Sequence, residues 1–480
     1  MFRKVVQVDC MKRRVVKYYS TIPMSTQAIT RFEKYGEIVI LPLLKTYKVN
    51  IPHQFLIQGI VDGYQFSVSY KNENWQELEQ QFDCDLEIAQ QSSENAHIYL
   101  DYNATTPVDP RVVQKMMPFL QDLYGNPSSA HSMGQQVQNC IKKARQQVAA
   151  ILDCDPQQLI FTSGGTESIN HALLSATNRK RFFNQENKRH KIITAKTEHS
   201  ATLKTCDFLK NWGFDIEYLP IIDGIVSLEV LEKLVNDDCL LVTLSYINNE
   251  VGTIQPIEKI ADIVNKSSAK LHIDAVQALG KVPISTKKIP IDFLSVSAHK
   301  IYGPKGIGAL YIKNPNDSSP LLCGGKQEYN LRGGTENVVG IIGMGEACQI
   351  AQREIDKNNC HLHTIRKEFL KLLSQKNINS SLNHNLNLSF PSTLNIYFAD
   401  IDGDTLMIML NEKGIIVSRG SACNAHAQEP SPVLLAMAIP TTQAQKSLRF
   451  SFGKYTNNDE IRICVETIDK ILQSLKKKVT

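Results

Sequence analysis

From His97 onward, short apolar runs alternate with longer amphipathic segments. Leu159–Phe161, Lys191–Thr194, Leu240–Leu244, Leu271–Ile273, Phe293–Val296 and Gly308–Ile312 have the length of strands rather than helices. Between them, Val137–Ile151, Ser168–Ala176, Thr202–Trp212 and Ile257–Asn265 repeat apolar positions at helical spacing. Such alternation predicts an α/β fold, a mostly parallel sheet with helices on both faces. After about residue 340 the pattern changes: a long helix from Ile341 past Lys357 leads into a smaller α+β portion, with strands near Ser392–Tyr397 and Lys446–Phe452. The first 95 residues differ again. Ile38–Leu41, Phe55–Ile57 and Phe66–Tyr70 read as strands, Asp62-Gly63 as a turn, and Trp75–Glu94 as a helix and linker. The expected parts are a β-rich module over 1–95, a large domain over 96–345 and a small domain over 346–480. Residues 96–115 are free to pack with the last of these.

Size agrees with several parts, because 480 residues exceed the roughly 250–300 that one core serves. A net charge of +5 with both signs interspersed gives no basic stripe, so no nucleic-acid partner is expected. No run reaches the ~18–20 apolar residues of a spanning helix, and no membrane partner is expected. Eleven cysteines lie scattered without CxxC or zinc-like spacing. That pattern argues for free thiols in a reducing compartment and for no protein-held metal. The expected location is cytoplasmic, with the mitochondrial matrix as alternative because Met1–Arg14 is basic.

Candidate chemistry sits where the strands end. Phe161-Thr-Ser-Gly-Gly-Thr-Glu-Ser168 closes a strand, turns on two glycines and opens a helix, so Gly165 and Thr166 form a phosphate seat. An ordinary helix cap gives the same letters. Leu271-His-Ile-Asp-Ala-Val-Gln277 puts Asp274 at a strand mouth, where a carboxylate keeps a pyridine nitrogen protonated, with Gln277 one turn on. Ser297-Ala-His-Lys300 places Lys300 between an apolar strand and a glycine-rich turn; its amine suits a Schiff base, and Ser297 and His299 are within reach of a phosphate. His199 in Thr197-Glu-His-Ser200 and Asn249 emerge at the ends of other strands. Each residue alone has a bland reading as a cap, a surface lysine or a structural histidine. Their agreement along one sheet edge favours a ligand site. Far downstream, Ser418-Arg-Gly-Ser-Ala-Cys-Asn-Ala-His426 offers the thiol of Cys423 among small residues.

From about residue 97 to 475 the chain resembles the NifS/IscS-type cysteine desulfurases, a branch of the class-V, fold-type-I pyridoxal-phosphate enzymes. The matching segments are Tyr99-Leu-Asp-Tyr-Asn-Ala-Thr-Thr-Pro107, Tyr124-Gly-Asn-Pro-Ser-Ser-Ala-His131, the glycine turn at 164–165, Asn248-Asn-Glu-Val-Gly252, the strands bearing Asp274 and Lys300, Arg332-Gly-Gly-Thr-Glu-Asn337, Gly420-Ser-Ala-Cys423 and Leu448-Arg-Phe-Ser451. The resemblance implies a seven-stranded, mostly parallel sheet and a homodimer with sites at the interface. Lys300 would hold pyridoxal 5'-phosphate, His199 would stack on its ring, Asp274 would pair with the ring nitrogen and Gln277 with the phenolic oxygen. Gly165, Thr166, Ser297 and His299 would bind the phosphate, with Thr335 completing that site from the partner subunit. Asn249 and Arg449 would receive the carboxylate of L-cysteine. Lys300 would move the α-proton, and Cys423 would take the sulfur as a persulfide, releasing alanine. A sulfur-acceptor protein, an iron–sulfur scaffold or a sulfur carrier, would then collect it.

The end at Thr480 and the motif details lean towards the NifS side, and His426 and Gln428 stand where smaller residues are expected. Residues 1–95 have no counterpart in the family core. The competing readings are a selenocysteine lyase, a class-V aminotransferase, which leaves Cys423 without a role, and a non-catalytic protein on the same scaffold.

Overall fold

The computed structural model describes residues 97–177, 189–420 and 430–479, and the backbone of six strands between residues 3 and 70. The chain divides into two compact units, Met1–His97 and Ile98–Thr480. In the first unit the strands form one antiparallel sheet, in which Phe55–Ile60 and Gln65–Tyr70 pair directly as a hairpin. Asp62-Gly63 and Trp75–Glu94 lie outside the described residues.

The second unit is built on a seven-stranded sheet. Its order is Asp215–Leu219, Lys191–Ala195, Cys239–Ser245, Lys270–Asp274, Phe293–Ser297, Gly308–Ile312 and Leu159–Thr162. Gly308–Ile312 runs antiparallel to both of its neighbours and the other six strands point one way. The central strands are buried along their whole length, as strands covered on both faces must be. Asp215–Leu219 is the strand that the apolar pattern does not reveal. It is one of the two sheet edges and, unlike Leu159–Thr162 at the other edge, which is buried throughout, its Asp-Ile-Glu-Tyr-Leu alternates exposed and inward positions instead of forming a continuous apolar run.

The long helix spans Val338–Gln375, begins at an Asn337 cap whose side chain accepts from Gly340 N–H, and packs on Ser132–Leu152. A small antiparallel sheet follows, of Ser380–Leu382, Thr393–Phe398 and Ser447–Ser451. The segment after His97 joins the two sheets. Ile98–Tyr99 pairs with Ile415–Ile416 and Asp101 bridges to Ser451, while Thr106 N–H donates to the carbonyl of His299.

Candidate active site

Because six strands point one way, their carboxyl ends gather on a single edge, the usual ligand edge of an open α/β sheet. A cleft of about 870 Å³ opens there. Gly165, Thr166, His199, Asn249, Asp274, Gln277, Ser297, His299, Lys300 and Arg449 all line it. Lys300 closes the short 3-10 turn Ala298–Lys300 directly after its strand. Its Nζ donates to the carbonyls of Asn103 at 2.5 Å and Ala104 at 2.7 Å.

Asp274 is the last residue of its strand and is buried. Burial pushes its carboxyl up in pKa, opposed by the Val276 N–H on Oδ1 and by the charges of His199 and Lys300. His199 caps the helix Ser200–Lys210, its Nδ1 accepting from Ala201 N–H at 3.1 Å. Burial lowers its pKa and Lys300 adds to that, while Asp274 works against it. The ring is therefore neutral near pH 7, and the bond to Nδ1 leaves its proton on Nε2. Beneath them, Glu198 is pushed up to about 8 by burial, with Asp274 adding to the shift. Ser245 donates to its Oε1 at 3.1 Å, and Oε2 has no hydrogen-bond partner.

The helix Gly165–Ala176 starts at Gly164 with no side-chain cap, so its first N–H groups are left for a ligand. Gly164 has φ 156°, and a Cβ on Gly165 would stand 2.8 Å from Val276 Cγ2, so the turn needs both glycines. Ser297 and His299 border the seat. His299 is pushed down to about 4, first by burial and then by Lys300 and Lys305, so it is uncharged at neutral pH. An uncapped helix start with hydroxyls fits a phosphate. A buried carboxylate fits a protonated ring nitrogen, a flat neutral imidazole fits an aromatic face, and an amine fits an aldehyde. Pyridoxal 5'-phosphate carries all four complements.

Arg449 approaches from the small sheet and is 1% exposed. Its Nη2 donates to Asp101 Oδ1 at 2.5 Å and its Nη1 to the Asn249 carbonyl at 3.1 Å, whereas Nε is buried without a partner. A guanidinium so oriented, with a donor to spare, suits a carboxylate.

One expected residue stands apart. Thr335 lines a second cleft with Ser163, Gly306 and Arg332. Cys423, like His426 and Gln428, lies outside the described residues, but the chain on either side of it can be followed. Ser418 exchanges backbone hydrogen bonds with Arg449. Gly420 lies against the Glu250 carboxylate, whose Oε2 would be 3.0 Å from a Cβ there, and the same oxygen accepts from Ser431 Oγ at 2.5 Å. The described residues that flank it in sequence, Ser418, Gly420 and Ser431, are thus placed beside Arg449 and Glu250.

Sequence reasoning missed Asp101, Asn103, Glu198, Ser245 and Lys281. Asp101 and Asn103 lie in a segment with no strand or helix period, so only their place in a matching motif marks them. The others are ordinary residues until the fold sets them beside Arg449, Lys300 or Asp274.

Residues 98–463 match the aminotransferase class-V family. The IscS cysteine desulfurase of Dictyoglomus turgidum is 40% identical over 380 residues, 79% of this chain and 95% of that protein. A solved NifS-like protein superposes with TM-score 0.73 at 39% identity, over 78% of this chain and 99% of that one. SspA, solved in complex with cysteine, superposes with TM-score 0.65 at 34% identity, over 75% and 99%. With the cleft and its residues in the arrangement above, the chain belongs to the class-V aminotransferase family, in its branch of NifS/IscS-type cysteine desulfurases.

Proposed function

We propose that this chain takes sulfur from L-cysteine, releasing L-alanine and leaving a persulfide on Cys423 that an acceptor protein collects for iron–sulfur or thio-cofactor assembly. The observation that carries the reading is one cleft holding Lys300, Asp274, His199, Gln277 and Arg449. The family depends on pyridoxal 5'-phosphate, which when bound withdraws electrons from the substrate's α- and β-carbons. Lys300 would hold it, and Gly165, Thr166, Ser297 and His299 would seat its phosphate.

Arg449 and Asn249 orient the substrate carboxylate. Lys300 Nζ moves the proton at the substrate α-carbon. His199, neutral and already an acceptor at Nδ1, serves as a flat ring and an Nε2–H donor. A free thiol of pKa ~8.5 is mostly protonated at neutral pH, so Cys423 needs a local base to become the attacking thiolate. A bond forms from its Sγ to the substrate sulfur as the substrate's C–S bond breaks. The carbon keeps that electron pair and takes a proton to become alanine.

The separate cleft at Thr335 supports a homodimer in which the partner subunit's Thr335 completes the phosphate seat. The scattered thiols, none paired among the described residues, support a reducing location, cytoplasmic or mitochondrial matrix. The test is to incubate the chain with L-cysteine and a thiol reductant, measure alanine and sulfide together, and map the persulfide by mass spectrometry. Equal alanine and sulfide with the label on Cys423 support the reading. A label on exposed Cys323 or Cys360, or full turnover of L-cysteine after Cys423→Ala, overturns it.

A further inference from the structure

Gln277 is paired with Lys281, a residue that the reaction as described leaves unused. Gln277 is 6% exposed, and its two amide ends are bound differently. Its Nε2 donates to the Asn103 carbonyl at 2.9 Å, and its Oε1 accepts from Lys281 Nζ at 2.8 Å. An amide side chain presents a donor or an acceptor to its surroundings according to which way it is turned. In its charged form lysine can only donate, so while protonated Lys281 sets the Gln277 carbonyl toward itself and the NH2 toward the cleft.

The backbone is arranged to bring Lys281 back to Gln277. After the strand ending at Asp274, a tight turn closes with Ala278 N–H and Leu279 N–H on the Ala275 carbonyl, and Lys281 N–H returns to Ala278. Gly280 takes φ +69°, and a Cβ there would stand 2.9 Å from Ala351 Cβ. Asn359 Nδ2 then holds the Lys281 carbonyl at 2.9 Å. Part of the lysine's surface opens onto a second cleft behind the site, where Tyr102, Tyr302, Lys300, Glu354 and Lys454 are the other titratable groups. Its ammonium end is the enclosed part. Among the described residues no carboxylate forms an ion pair with it, and its nearest aromatic face is Phe390 at 5.8 Å. Burial, and then the charges of Lys300 and Arg449, push its pKa down to about 7. A cation without an anion beside two other cations is an expensive way to fill space. Such a group makes sense if its donor is needed.

We propose that Lys281 is a positioning residue that locks the Gln277 amide with its NH2 toward the cleft, where it serves as the donor to the phenolic oxygen of pyridoxal phosphate. The inference rests on the reading of Lys300 as the cofactor lysine. Turned the other way, Gln277 would set a carbonyl oxygen against the phenolic oxygen and repel it. A donor at that oxygen stabilises its anion and so lowers the proton affinity of the nitrogen that Lys300 contributes. Losing the lock weakens the cofactor and moves the pH midpoint of its visible band upward. The groups that interact with Lys300 through space include His199, Asp274, His299 and Lys281.

The experiment compares the full chain with Lys281→Met, Lys281→Arg and Gln277→Leu, and with the Lys281→Met/Gln277→Leu double variant. The readouts are pyridoxal-phosphate Kd, the pH midpoint of the visible band and the Tm of the cofactor-free protein. Lys281→Met is expected to weaken Kd roughly three- to tenfold, the worth of one hydrogen bond, and to raise the midpoint, with Tm held or raised. Lys281→Arg keeps a charged donor and is expected to restore Kd and midpoint. In the Gln277→Leu background, Lys281→Met should change Kd no further, since the lysine acts through the amide. A lower Tm with unchanged Kd and midpoint makes Lys281 merely structural and overturns the proposal, as does an equal loss of Kd with and without Gln277. If the unmodified chain binds no pyridoxal phosphate, the underlying reading fails and takes this one with it; if it binds and Lys281→Met titrates like it, this proposal alone fails.

Discussion

The two walls of the cleft are built on different physics. The wall at the sheet edge carries His199, Asp274, His299 and Glu198, and burial is the largest influence on the pKa of every one of them. Their preferred protonation states are those of a dry interior, histidines neutral and carboxyls raised. The opposite wall carries Arg449 from the small sheet, Asp101 from the segment after His97 and the Asn249 carbonyl from the turn after Cys239–Ser245; the guanidinium donates to the other two and keeps Nε without a partner. A desolvated wall can be re-set by a bound charge, since a protonated ring beside Asp274 reverses the effect of burial. A paired wall keeps its charge and geometry throughout, which suits recognition. The division teaches that chemistry and substrate grip are placed on different walls, which residues 98–106 help to join.

Substitutions on each wall break or sharpen that division. The largest effect is expected from Lys300→Ala, which should abolish the visible cofactor band and cut alanine formation about a thousandfold or more, as measured by absorbance and product assay. Next comes Asp274→Asn, on the same wall. Replacing a charged hydrogen-bond acceptor should weaken pyridoxal-phosphate affinity about ten- to a hundredfold, read by equilibrium binding. On the other wall, Arg449→Lys keeps the charge and loses the planar fork. It should raise KM for L-cysteine about tenfold with cofactor Kd unchanged. If Arg449→Lys instead lost cofactor as Asp274→Asn does, the two walls would not be separable.

The smallest effect is on stability. His272 is held at about 3 and His299 and His384 at about 4, in each case mainly by burial. An unfolded histidine titrates near 6.5, so between about 6.5 and 4 the unfolded chain binds more protons than the folded one. Stability therefore falls as pH drops through that window. The Tm of the cofactor-free protein should decline from pH 6.5 to 4, and His384→Asn should shallow the slope by removing one of the three groups.

Much of this was legible in the chain. The buried strands carry continuous apolar runs, and residues such as Asp274 and Lys300 stand immediately after them, so a strand-end position could be read from letters alone. Asp215–Leu219 was not legible, because only alternate positions of this edge strand turn inward. Lys281 looked like any lysine after a glycine, since nothing local signals that its ammonium ends at Gln277. Asn103 supplies a carbonyl to both Lys300 and Gln277, a role no side-chain pattern encodes.

What the sequence by itself determined was the parallel sheet, its ligand edge and the kinds of group gathered there, because apolar periodicity and strand-end chemistry are local properties. Only the tertiary structure decided that Arg449 turns one donor to Asp101 and keeps Nε unpaired, that His199 spends Nδ1 on a helix cap, and that Lys281 faces Gln277. The first joins residues about 350 positions apart; the other two join near neighbours, and burial against the rest of the fold selects those bonds over bonds to water.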